Sequence, residues 1–166
     1  MKYTAALSGL AALVIAAGTG ASTTAYAEAA ADLKVDGVII VAGNTCSWTN
    51  ASSSNNPPSS LTVDRATINK PGGNLACGGG ITASFNNNPA FIFNDMVGTA
   101  TTDVIDITGK QSFISCRYKA ANIIWNRYGT ARKYVNRPFT ANKVSGSFLC
   151  PASYSAAAGE ASVVFH

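Results

Sequence analysis

The sequence predicts an all-β fold: an antiparallel β-sandwich, or alternatively a small β-barrel, held by two disulfides. Three observations point there. Short runs of β-branched and aromatic residues recur at a spacing of about ten residues, with Gly, Pro and Asn between them. No window beyond residue 27 sustains an apolar period of 3.6 residues. The chain also holds four cysteines, Cys46, Cys77, Cys116 and Cys150, and an even count in an exported chain reads as a disulfide framework. Four cysteines allow three connectivities. Cys46–Cys77 with Cys116–Cys150 is favoured because it divides the chain into two consecutive halves, each link closing a loop worth roughly 3.5 kcal/mol in the chain-entropy view.

Export is expected from the N-terminus. Lys2 supplies a positive start, Ala5 to Ala17 is an apolar run broken only by Ser8 and Gly9, and Ala25-Tyr26-Ala27 is a small-x-small cleavage site. The run is too short to span a bilayer comfortably, which needs ~20 apolar residues. Residues 1–27 therefore read as a signal peptide and residues 28–166 as one secreted domain, periplasmic or extracellular, without a transmembrane anchor.

In chain order, residues 28–32 are Ala-rich and expected to fray. Leu33 to Val41 alternates and then turns wholly apolar, as a strand covered on both faces in its second half does. Ala51 to Ser60, rich in Ser, Asn and Pro, reads as a surface loop. Leu61 to Ile68 is β-rich, and its apolar phase slips near Asp64-Arg65, which suggests a bulge. Pro71-Gly72-Gly73 and Gly78-Gly79-Gly80 are turns around Cys77. The Gly triplet has no Lys-Ser/Thr and no helix after it, so it is not a phosphate loop. Ile81 to Phe85 alternates cleanly, Asn86 to Pro89 is a turn, and Phe91 to Phe93 and Val104 to Thr108 are short strands, the second ended by a turn at Gly109-Lys110. Ile114 to Ala120, Ile123 to Tyr128, Val144 to Cys150 and Ala161 to Phe165 complete a set of seven to nine strands.

Chemistry is harder to place. The only histidine is His166, expected to fray, so a Ser-His-Asp site has no base. A zinc site lacks a Cys-x-x-Cys pair and a second histidine. Asp103 and Asp106 differ in strand parity, which sets them on opposite faces and argues against a carboxylate pair. Asn94, Asp95 and Asp103 match no EF-hand spacing, and all these carboxylates read as solvated turn groups. No metal, cofactor or catalytic residue is expected. Trp48 is expected to pack on the neighbouring Cys46 disulfide.

Charge is the asymmetric feature. Residues 28–109 hold three basic and seven acidic residues, whereas 110–143 hold eight basic and no acidic ones. Aromatic residues interleave the basic stretch. Arg117, Lys119, Trp125, Arg127, Tyr128, Arg132, Lys133, Tyr134 and Arg137 are thus candidate contacts for an anionic ligand, since cations attract polyanions and aromatic rings stack on sugars or bases. Lys and Arg on outer strands also discourage edge pairing and need no ligand to explain them.

Ser115-Cys116-Arg117-Tyr118-Lys119-Ala120 followed by Gly146-Ser147-Phe148-Leu149-Cys150-Pro151-Ala152-Ser153 resembles the C-terminal half of small exported bacterial two-disulfide β proteins, those labelled hypothetical, "activator" or signal-sequence-domain proteins. The likeness covers residues 110–165. It implies a secreted β domain and a Cys116–Cys150 link, and it implies no activity; the basic C-terminal half departs from the near-neutral one of that group. The expected function is a non-catalytic binding protein for an anionic cell-envelope or extracellular polymer. The alternative is a secreted inhibitor or toxin-like effector acting on another secreted protein, with the Ala51–Ser60 loop as its presented element.

Overall fold

A computed structural model describes residues 32–68 and 75–166. The signal peptide expected over 1–27 and the turn at Pro71-Gly72-Gly73 lie outside the described residues. The described chain is an antiparallel sandwich made from one continuous open sheet of twelve strands. No helix among the described residues is long and apolar enough to cross a membrane.

The spine is a long hairpin, β7 (Thr99–Gln111) paired along its whole length with β8 (Ile114–Arg127). The sequence suggests shorter strands here, with a turn at Gly109-Lys110 and a break after Ala120. Instead Gly109 lies within β7, and the reversal falls at Ser112-Phe113. What resembles a break is a change of phase. Buried residues on β7 run Ala100, Thr102, then Ile105, Ile107; on β8 they run Ala120, then Ile123, Trp125. The two strands keep one register throughout, so they reverse their inward face together, with Asn122 at a positive φ of 53°.

Each flank of the hairpin consequently takes two partners. β6 (Ala90–Asn94) lies along the first half of β7 and β5 (Ile81–Phe85) along the second. On the other side, β10 (Phe139–Gly146) covers the start of β8 and β9 (Lys133–Asn136) its end. From β9 the sheet continues through β12 (Ser162–Phe165), β1 (Lys34–Val41), β2 (Asn44–Ser52) and β4 (Ala76–Cys77). β3 (Leu61–Thr62) edges β6, and β11 (Ser153–Ala156) edges β10. The strand expected over Val144 to Cys150 is displaced, since β10 ends at Gly146 and residues 147–149 turn back toward Cys150.

Both expected disulfides are present, Cys46–Cys77 and Cys116–Cys150. Cys46 and Cys77 face each other in the β2–β4 register, so the first link closes a ladder already formed. The second ties the turn after β10 to the start of β8.

Four local expectations are corrected. The phase slip after Val63 is a strand-to-helix switch and not a bulge: Asp64 caps a single turn, α1 (Arg65–Ile68), its Oδ1 accepting the Ala66 N–H at 2.9 Å. Ala51 and Ser52 belong to β2, and the following loop is tied down. Ser53 bridges to Val63 and Asn56 donates to the His166 carbonyl at 3.0 Å. His166 is itself anchored, its N–H on the Lys34 carbonyl and its Nε2 at 3.1 Å from Asp36 Oδ2. The second half of β1 is not covered twice: Ile39 is in the core and Val38 is 37% exposed.

The two halves of the core fill differently. Around β6, β9, β12 and the end of β8, the rings of Phe91, Phe93, Trp125, Tyr134 and Phe165 pack together with centroids 5.2–6.0 Å apart across the sheets. Trp48 is half-buried and lies edge-on to Phe85 at 5.5 Å, over Gly37, where any Cβ would collide with the indole. The Trp125 indole N–H is buried and donates to Thr102 Oγ1 at 2.8 Å. Thr102→Val preserves shape and orphans that donor. It is expected to cost about 1–3 kcal/mol in urea unfolding; an unchanged midpoint would refute the role given to this bond.

Candidate functional site

The hairpin disperses the basic segment. Arg117 and Lys119 stand on the outer side of β8, opposite Thr108 and Asp106. Asp106 is only 3% exposed. Arg117 binds it through Nε at 2.8 Å and Nη2 at 2.7 Å, Lys119 stands at 3.6 Å, and Asn86 donates to it at 2.9 Å. The Asn86-Asn87 turn thus roofs the carboxylate, which is a buried, paired group and not the solvated one expected. Hydrogen bonding to Arg117 holds the Asp106 carboxyl below its ordinary 3.8, against the opposing effect of burial. The phase change also undoes the parity argument: Asp103 is exposed, and Asp106 points away from the core into this network.

Arg127 is likewise engaged. It donates to the Tyr134 hydroxyl at 3.1 Å, lies 5.6 Å from that ring's centroid, and pairs with Asp95. Trp125 and Tyr134 are core residues, 2% and 0% exposed, and are closed to a surface ligand. The residues left at the surface are Tyr128, Arg132, Lys133 and Arg137. Tyr128 is 65% exposed, and the Lys133 ammonium sits 5.3 Å from its ring centroid. Arg137 donates to Asn126 at 3.0 Å, and Arg132 makes no ion pair among the described residues. No group of three or more His, Cys, Asp or Glu among the described residues could hold a metal ion.

A second feature lies in the other half of the core. Between β1 and the layer of β5, β7, β8, β10 and β11 is a cavity of about 320 Å³. Its walls are Ile39, Ile105, Ile107, Ile114 and Phe139, with Gly109, Ala120, Ala141, Ala156 and Ala161 between them. The cause is side-chain volume: glycine and alanine alternate here with isoleucine at the inward positions, where those of the other half are mostly aromatic. A Cβ on Gly109 would stand 2.9 Å from Val41 Cγ1, so a larger residue there would require Val41 to shift. Protein interiors rarely leave voids beyond a water molecule.

The polar groups on the cavity wall are mostly spent within the protein. Tyr118 donates to the Pro151 carbonyl at 3.0 Å, and burial raises its pKa, which keeps the phenol protonated as a donor. Glu160 accepts the Ala157 N–H at 2.8 Å, and Gln111 donates to the Gly79 carbonyl at 3.4 Å. Water inside would find few of the 2–4 partners it needs. Exposed Ala42, Lys110, Gln111 and Leu149 mark the mouth, where Lys110 is the cation and has no ion pair among the described residues.

No family model, curated protein or solved structure matches the chain.

The Asp106 network has a pH signature. Because the folded carboxyl has the lower pKa, its contribution to stability is complete above the unfolded value near 3.8 and is lost as pH falls through the folded value. Asp106→Asn should remove this acid dependence. Thermal unfolding from neutral pH to below pH ~3 checks it: an equal slope in both proteins would show that the pair does not carry it.

Proposed function

We propose that this protein is an exported, non-catalytic binding protein whose ligand is a small apolar molecule or alkyl chain bearing one polar, preferably anionic, end. The observation that carries the reading is the cavity. At about 320 Å³ it reaches the ~300–1,000 Å³ range of small-molecule sites. Its apolar wall with few free polar groups suits a chain, and Lys110 at the mouth suits a carboxylate or phosphate. Two disulfides fit an oxidising compartment, and together with the signal-peptide pattern of residues 1–27 they support export.

Dodecanoate tests it. Bound at about one hundred times its Kd, it should raise stability by about 2.7 kcal/mol, seen as a higher melting temperature and measured directly by calorimetry. Ala141→Trp places a ring in the cavity and should abolish uptake while the circular dichroism spectrum stays that of β structure. Uptake undiminished in that variant would place the ligand elsewhere.

A second reading, attachment to an anionic envelope polymer, is favoured by one observation: Arg132 and Arg137 are exposed, Lys133 between them is half-buried, and none of the three has a carboxylate partner among the described residues. On this reading, co-sedimentation with isolated cell envelopes fades as salt rises, and Arg132→Ala/Lys133→Ala weakens it further. Absence of binding at low salt would dismiss it. The inhibitor reading is weaker, because the Ala51–Ser60 loop keeps Ser53, Asn56 and Pro57 buried instead of presenting them.

A further inference from the structure

The most exposed aromatic residues of the described chain are immediate neighbours of residues that line the cavity, Phe113 of Ile114 and Phe148 of Leu149. Phe113, at the tip of the β7–β8 turn, is 89% exposed; Phe148, in the turn after β10, is 90% exposed, with Leu149 beside it at 52%. These two tips form one unit. The Ser147 N–H donates to the Ser115 carbonyl at 2.9 Å, and the Cys116–Cys150 disulfide locks the second turn to the strand that begins at the first. Leu149 also lines the cavity, so one residue of the exposed apolar group belongs to the apolar interior as well.

Two nearly bare Phe rings on a rigid support have no folding role that explains them, since they bury little against their own chain. Exposed apolar groups gathered at one end mark a docking surface. Charge selects the partner. No acidic residue lies between Asp106 and Glu160, so neither tip carries a negative charge to oppose a phosphate, and the Lys110 ammonium stands at the rim. A bilayer interface offers both complements, an acyl boundary for the rings and anionic headgroups for the ammonium.

We propose that Phe113, Phe148 and Leu149 seat in the headgroup–acyl boundary of a phospholipid bilayer, holding the cavity mouth against the membrane so that an alkyl chain passes between the two apolar phases without crossing water. This rests on the cavity being a chain-binding site. The opposite end of the hairpin supplies the control, because Met96 and Val97 are also bare there, 97% and 66% exposed, and far from the mouth.

The test is sedimentation with vesicles of phosphatidylcholine and phosphatidylglycerol, run beside dodecanoate binding in solution. Phe113→Ser/Phe148→Ser should lower vesicle affinity by about tenfold or more and leave dodecanoate affinity unchanged, while Met96→Ser/Val97→Ser should leave both unchanged. The proposal is overturned if the wild type ignores vesicles, if the Phe variant binds them as the wild type does, or if the Met96/Val97 variant loses binding instead. It is equally overturned if analytical ultracentrifugation shows a dimer that the Phe variant dissociates, which would make a second copy the partner of the rim. Vesicle binding that depends on the two Phe residues, in a protein that takes up no dodecanoate, would uphold the docking surface and overturn the cavity assignment alone.

Discussion

The structure depends on one constraint: β7 and β8 stay in a single register over their whole length while both reverse the face they turn to the core. A pair of strands that long cannot be flanked by the same neighbours throughout. β6 and β9 attend one half, and β5 and β10 the other. The flanking partners change at the reversal, and the two halves of the hairpin face different interiors. The aromatic core, the cavity and the roofed Asp106 all follow from which residues the reversal turns inward.

Period-two alternation is legible only where a strand keeps one face to the core. Ile81 to Phe85 and Ala161 to Phe165 do so, and their faces can be read from sequence. β7 and β8 do not, and a local reading begins the first strand only after its phase change, at Val104, and divides the second into Ile114 to Ala120 and Ile123 to Tyr128. Gly109 reinforces that error. Glycine signals a turn by composition, but here it answers a close approach from Val41, a residue far away in sequence. Asp64 misleads in a similar way: a helix of one turn has no periodicity to detect, and the cap is its entire signal. The disulfide pairing was accessible because consecutive halves leave few sensible connections.

The candidate sites follow the same rule. That residues 110–143 are basic is a property of composition. Which of those cations are free is a property of pairing across strands: Arg117 meets an aspartate eleven residues away and Arg127 meets one thirty-two away. Adjacent strands therefore consume the charges that looked most organised in sequence, and what remains at the surface is the end of the β8–β9 hairpin. The cavity was less accessible still. Ala120, Ala141, Ala156 and Ala161 are unremarkable one by one, and only the sheet topology sets them around one space.

That space needs a physical account. Unfilled core volume is penalised at ~24 cal/mol per Å³ where the surroundings cannot collapse, so a gap of this size gives up several kcal/mol against an ideally packed interior. The walls are β-ladders anchored on both flanks, and a disulfide fixes β8 to the turn beside the mouth, so inward collapse would break backbone hydrogen bonds to gain side-chain contact. The crosslinks close 31- and 34-residue separations, worth roughly 3.5 kcal/mol each in the chain-entropy view, a sum on the scale of the packing lost. The aromatic half and the two covalent links thus let the other half stay open. Filling it with larger side chains would be the simple route to greater stability, and under the proposed binding function the small residues among its walls keep room for the ligand.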